Sequence, residues 1–138
     1  MKSNEIEKAN KKHLKVFEKW LQDSGLASKT IDNHVTNVEF YINDFLCGYF
    51  EKDVTQGCYE IDRFLGDWFI RKAMWSSCPH IKGNAASLKK FYACMLENGV
   101  VEQKDYDALC ESIKENMPTW LDEMKRYEVM DDSDFFDL

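Results

Sequence analysis

The sequence predicts an all-α domain, a compact bundle of five or six helices. Three observations carry this expectation. Apolar residues recur at alternating three- and four-residue steps along most of the chain, the period of a helix with one buried face. Glycine (6) and proline (2) are scarce in 138 residues, too few turn formers for an all-β fold. A hydrophobic fraction of 44%, with 14% aromatic residues, is enough to pack a core at this length and excludes disorder over most of the chain.

The elements follow in order. Residues 5–23 carry Leu14, Phe17, Trp20 and Leu21 on one face, and Gly25 supplies a stop. Ser28 is placed as the N-cap of a second helix, 29–46, with Ile31, Val35, Val38, Ile42 and Phe45 as its stripe. The segment from Cys47 to Gly57 breaks the pattern and reads as a connection. A third helix, 58–73, turns Ile61, Phe64, Leu65, Trp68 and Phe69 inward. Ser77 with Pro79 opens a fourth, whose stripe is Ile81, Ala85, Leu88, Tyr92 and Met95 and which Asn98-Gly99 ends. A fifth, 103–116, buries Tyr106, Leu109, Cys110 and Ile113. Pro118 then restarts the chain into a short last helix with Trp120, Leu121 and Met124. The four tryptophans, Trp20, Trp68, Trp75 and Trp120, are expected in the core. Residues 1–129 are read as one domain and 130–138 as an acidic, aperiodic, disordered tail.

No apolar run approaches the roughly 18–20 residues that span a bilayer, and the first residues lack the apolar segment of a secretory signal. Five cysteines, Cys47, Cys58, Cys78, Cys94 and Cys110, are odd in number and widely spaced, without a CxxC. This predicts reduced, mostly buried thiols in a cytoplasmic protein, and no metal.

The formal charge of −7 at first speaks against nucleic acid, but it is unevenly spread. Residues 1–67 hold nine basic and twelve acidic residues, a net of −3. Residues 68–96 hold five basic residues (Arg71, Lys72, Lys82, Lys89, Lys90) and no acid, and residues 97–138 hold four basic and thirteen acidic, a net of −9. At about 100° per residue, Lys82, Lys89 and Lys90 point away from the apolar stripe of the fourth helix, with Ala86 and Ala93 among them. On the second helix Lys29, Asn33, Thr36 and Asn37 lie opposite the stripe, flanked by Thr30. Lys and Thr suit phosphate oxygens, and Asn can read adenine in a major groove. A solvated face has the same pattern. His34 and His80, singletons, read as surface or satisfied core residues.

Two segments resemble a known family. The first is Phe17-Glu-Lys-Trp-Leu, then Leu26-Ala-Ser-Lys-Thr-Ile31, then Val38-Glu-Phe-Tyr-Ile42. The second is Ser87-Leu-Lys-Lys-Phe-Tyr92, running to Leu96-Glu-Asn-Gly-Val-Val101. They resemble the SAM-like N-terminal core-binding domain of tyrosine recombinases and phage integrases over residues 10–101, with 102–129 a helical extension. The resemblance implies a bundle that clasps duplex DNA through two helices in the major groove. These correspond here to the helix opening at Ser28-Lys29-Thr30 and the helix carrying Lys82, Lys89 and Lys90. His34 stands where the family often has Tyr, and an acidic extension replaces the Asn-Pro and basic linker common before the catalytic domain.

The family's chemistry needs a Tyr nucleophile with Arg and His groups holding transition-state charge. Its His-x-x-Arg pattern is missing: three residues after His13, His34 and His80 stand Val16, Asn37 and Gly83, and the arginines are Arg63, Arg71 and Arg126 alone. Tyr127, without that constellation, reads as a packing residue. There is no GxxxxGK[ST], HExxH or GxSxG, and Asp105/Asp107 and Asp131/Asp132 lie in acidic runs. The expected function is a non-catalytic DNA-binding module of recombination or integration context. It binds duplex DNA weakly through Lys29, Thr30, Asn33, Asn37, Lys82, Lys89 and Lys90 and uses no cofactor. The alternative is a protein-interaction module that keeps the fold and works through its acidic C-terminal surface. An enzyme is expected only if the chain is part of a longer recombinase.

Overall fold

The structure, a computed structural model, describes residues 3–136 and the side chains of residues 3–130. Five helical rods and one short 3₁₀ helix make up the domain, with no strand among the described residues. Helix α1 (Ser3–Asp23) buries Ile6, Asn10, Leu14, Phe17 and Leu21, one residue per turn, and ends where Gly25 takes the left-handed conformation. Helix α2 (Ser28–Glu39) starts without a side-chain cap: Ala27 holds the cap position and Ser28 is the first helical residue, so the expected Ser28 cap is not formed.

Beyond Glu39 the same rod widens into a π-helical stretch, Phe40–Tyr49. The sequence there is dense in large apolar side chains, and Tyr41, Ile42, Phe45, Leu46 and Cys47 are all buried. A wider turn directs neighbouring positions inward together, which one α-helical stripe does not allow. Asn10 of α1 stitches this stretch down, donating its amide to the Ile42 carbonyl (3.1 Å) and to Asn43 Oδ1 (2.8 Å). The helix therefore runs past the expected end at residue 46.

The rest of the expected connection is partly ordered as a 3₁₀ helix, Val54–Tyr59. Asp53 caps it, accepting from the Thr55 amide at 2.9 Å, and Gln56 reciprocates at the Asp53 amide. Helix α3 follows as one rod in three parts: Ile61–Arg63, a π turn at Phe64–Trp68, and Phe69–Lys72. Helix α4 (Cys78–Glu97) is the centre of the bundle. Ser77 caps it, accepting from the His80 amide, with Pro79 in the first turn, and Gly99 closes it in the left-handed region. It packs against α1, α2 and the last helix.

Helix α5 (Gln103–Phe136) is continuous, with Pro118 inside it, where two helices were expected. Leu109, Ile113, Trp120 and Met124 form one buried stripe across the proline, so burial on both sides holds the rod together. Trp120 Nε1 donates to Asp62 Oδ1 at 2.6 Å, and the indole lies against Gly66, where a side chain would meet the ring at 2.9 Å. The helical backbone continues to Phe136, through most of the segment expected to be an irregular tail; residues 137–138 lie outside the described residues. Trp120 is in the core, Trp20 and Trp68 are half-buried, and Trp75 is 49% exposed, so the expectation of four core tryptophans fails at Trp75.

Candidate nucleic-acid interface

Helices α2 and α4 pack along their length, and an open groove of about 420 Å³ runs over their seam. Thr30, Asn33, His34, Thr36 and Asn37 line it from α2, and His80, Gly83, Ala86 and Ser87 from α4. No carboxylate lines it. The small residues Gly83 and Ala86 keep its α4 wall low. Asp32 stands one turn before the groove-lining Thr36, about 40° from it around α2, so one carboxylate flanks the α2 shoulder without lining the groove.

Ser87 is the hub of the seam. It is fully buried, yet its hydroxyl meets three groups: the Gly83 carbonyl (3.0 Å), His34 Nδ1 (2.8 Å) and the Asn37 amide nitrogen (3.0 Å). With the hydroxyl hydrogen given to Gly83, both His34 and Asn37 donate to Ser87, so His34 carries its proton on Nδ1 and leaves Nε2 as an acceptor. Burial, and then the positive charge of Lys90, hold the His34 pKa below its ordinary value. His34 is therefore a satisfied residue of the helix pair, as the sequence suggested. Ser87 was missed. Its only sequence signal is a hydroxyl beside Leu88 on the buried side of α4.

The predicted residues divide into three groups. Thr30, Asn33 and Asn37 line the groove together, but Asn37 spends its amide nitrogen on Ser87. That bond takes one of its two amide hydrogens and fixes the side chain's orientation, while the second N–H and Oδ1 remain for a base edge. Lys90 stands on the rim, close enough to His34 to act on its charge. Lys82 and Lys89 lie about 100° from Lys90 in helical angle, on the outer shoulder of α4, and Lys29 lies on the outward side of α2. All four lysines are exposed. The ion pairs among the described residues use Lys19, Lys52, Arg63, Arg71, Lys104 and Arg126, and none of these four.

Elsewhere, the described residues contain no group of three or more His, Cys, Asp or Glu arranged to hold a metal ion. The five cysteines are free. Burial raises the Cys47 pKa and pushes Cys58 up to about 12 and Cys94 to about 11, so these thiols are poor nucleophiles at neutral pH. No described helix is long and apolar enough to cross a membrane. Met74 is 98% exposed, and Tyr127, Val129 and Met130 are exposed on α5. Tyr127, expected to pack, instead lines open cavities beside Arg71. Comparisons with family models, curated proteins and solved structures find no match.

Proposed function

We propose that the chain is a non-catalytic DNA-binding module, of the kind its resemblance to recombinase core-binding domains implies. The observation that carries the reading is the α2/α4 groove: hydrogen-bonding side chains line it, carboxylates do not, and lysines stand on both shoulders. Lys29, Lys82, Lys89 and Lys90 would meet phosphates together with Thr30, while Asn33 and Asn37 reach base edges. The steep overall negative charge keeps the interaction weak. Four phosphate contacts give a slope of log affinity against log salt of about −3 to −4.

The test is fluorescence anisotropy of labelled duplex DNA at low salt. The wild type is compared with a variant carrying Lys82→Glu, Lys89→Glu and Lys90→Glu. Loss of binding in the variant supports the reading. Equal binding by both proteins, or none by either, sinks it.

A second reading, a protein-interaction module, draws on the uncovered Met74, Tyr127, Val129 and Met130 at the end of α3 and α5. Met74 and Tyr127 line one cavity and Tyr127 and Met130 another, and exposed apolar residues grouped in this way mark contact surfaces. Deleting residues 130–138 separates the two readings. A rise in DNA affinity identifies the acidic end as a competitor for the lysines, and loss of a protein partner identifies it as a docking segment.

A further inference from the structure

A second, smaller cavity of about 190 Å³ opens where α2 turns into its π-helical stretch. Its walls are Phe40 and Trp75, whose ring centroids are 5.1 Å apart at 59°, so the two faces form a corner. Glu39 and Asp44 also line it, and neither has an ion-pair partner among the described residues. Partial burial lifts the Asp44 carboxyl above its ordinary value, because desolvation disfavours the charged form. Asn84 completes the lining from α4. It is 1% exposed, its amide nitrogen is bound to the His80 carbonyl at 2.8 Å, and its Oδ1 has no partner. A buried acceptor left unpaired costs free energy that a ligand donor recovers.

We propose that this cavity binds a guanidinium group. The lining offers two carboxylates, an unpartnered amide oxygen and two aromatic faces, and no cationic residue. A guanidinium matches each part: its plane stacks on the indole of Trp75, its forked N–H groups meet a carboxylate, and a remaining N–H reaches Asn84. A hydrated metal ion matches less well, because the aromatic walls supply no oxygen ligands. Trp75 and Phe40 also explain themselves: an indole half open to solvent beside an acid pair is the wall of a cation site. The site stands independently of DNA binding, although Thr36 and Asn37 border both cavities.

The guanidinium has two sources, a free small guanidine or an arginine side chain of a partner. Isothermal titration of the full chain with N-methylguanidinium, with a capped Gly-Arg-Gly peptide and with its citrulline counterpart tests the proposal and separates them. Saturable binding of either guanidinium probe is expected, with the neutral citrulline peptide weaker by roughly tenfold or more. Tighter binding of the peptide assigns the site to a protein arginine, and tighter binding of the small ion assigns it to a free guanidine. A Glu39→Gln/Asp44→Asn variant, with both changes at exposed positions, should lose binding by a similar factor while keeping the wild-type circular dichroism. Trp75→Ala should weaken binding without changing its charge selectivity. No saturable binding of either probe, equal affinity for the citrulline peptide, or unchanged affinity in the folded double variant overturns the proposal.

Discussion

At the scale of single residues, the fold depends on a few polar atoms placed where only one partner fits. Tyr41 and Tyr92 are fully buried, and both hydroxyls are satisfied by the 3₁₀ segment: Tyr41 donates to the Gly57 carbonyl at 2.5 Å and Tyr92 to the Val54 carbonyl at 2.9 Å. Burial holds both phenols well above their ordinary range, so they remain donors. The price of this arrangement is a glycine: a Cβ at Gly57 would sit 1.8 Å from Tyr92 Oη and 2.9 Å from Leu46 Cδ1. Gly57→Ala is expected to destabilise the domain by about 1–3 kcal/mol or more, through overpacking and loss of the Tyr92 bond. A shift of the urea midpoint at constant m-value checks this.

The imidazoles of His13 and His34 give a pH dependence whose sign is set. Burial is the main cause in both and holds them below the ordinary value of 6.5, against a smaller opposing pull from Asp53 on His13. Below pH 6.5 the unfolded chain therefore binds more protons than the folded one. The stability they contribute is full above pH 6.5 and is lost as pH falls through their lowered folded values. Stability measured by denaturant from pH 7.5 to 5 should decline, and the decline should be shallower in a His13→Gln/His34→Gln variant. An unchanged slope would show that these two groups do not set the acid response.

At the scale of elements, helices continue where local signals would stop them. Pro118 lies inside α5, where it lacks the backbone donor and crowds the preceding turn, yet the rod persists because Ile113, Trp120 and Met124 are buried on either side. Its side chain is exposed. Pro118→Ala should therefore stabilise the protein, by about 1–3 kcal/mol, since it restores a hydrogen bond and removes nothing from the core. A lower melting temperature in the variant would show that the proline sets a bend the packing needs. The opposite change, Trp120→Ala, should cost about 3–5 kcal/mol, because it empties the slot against Gly66 and leaves Asp62 without its donor.

At the scale of the whole molecule, charge is unevenly spread along the chain, and the fold packs the basic helix α4 directly against the acidic helix α5. The carboxylate-free stretch, residues 68–96, supplies α4 with its lysines, and α2 completes the groove beside them. The acidic segment runs from Glu97, the last residue of α4, through residues 98–102 into α5, where Tyr127, Val129 and Met130 are exposed. Lys90 is the lysine on the groove rim, so Lys90→Glu alone should weaken DNA binding more than Lys82→Glu or Lys89→Glu. Equal effects of the three single changes would mean that DNA lies across the shoulder of α4 instead of over the seam.

The sequence by itself determined that the chain is helical, how most of its helices begin and end, and which side of each is buried. Those properties follow from short-range rules: apolar spacing, the Ser77-Pro79 start, and the left-handed glycines Gly25 and Gly99. It also located the lysines and the groove residues of α2, because a polar face opposite an apolar stripe is a local pattern. Only the tertiary structure decided the rest. The π-helical turns, the continuity of α5 through Pro118 and the outward position of Trp75 arise from packing between segments far apart in the chain, which overrides local propensity. The Ser87 hub pairs residues about 50 positions apart, and the cavity of Glu39, Phe40, Asp44, Trp75 and Asn84 draws on three separate stretches. Neither has a spacing to read, since the distances that make them exist only once α4 is laid against α2.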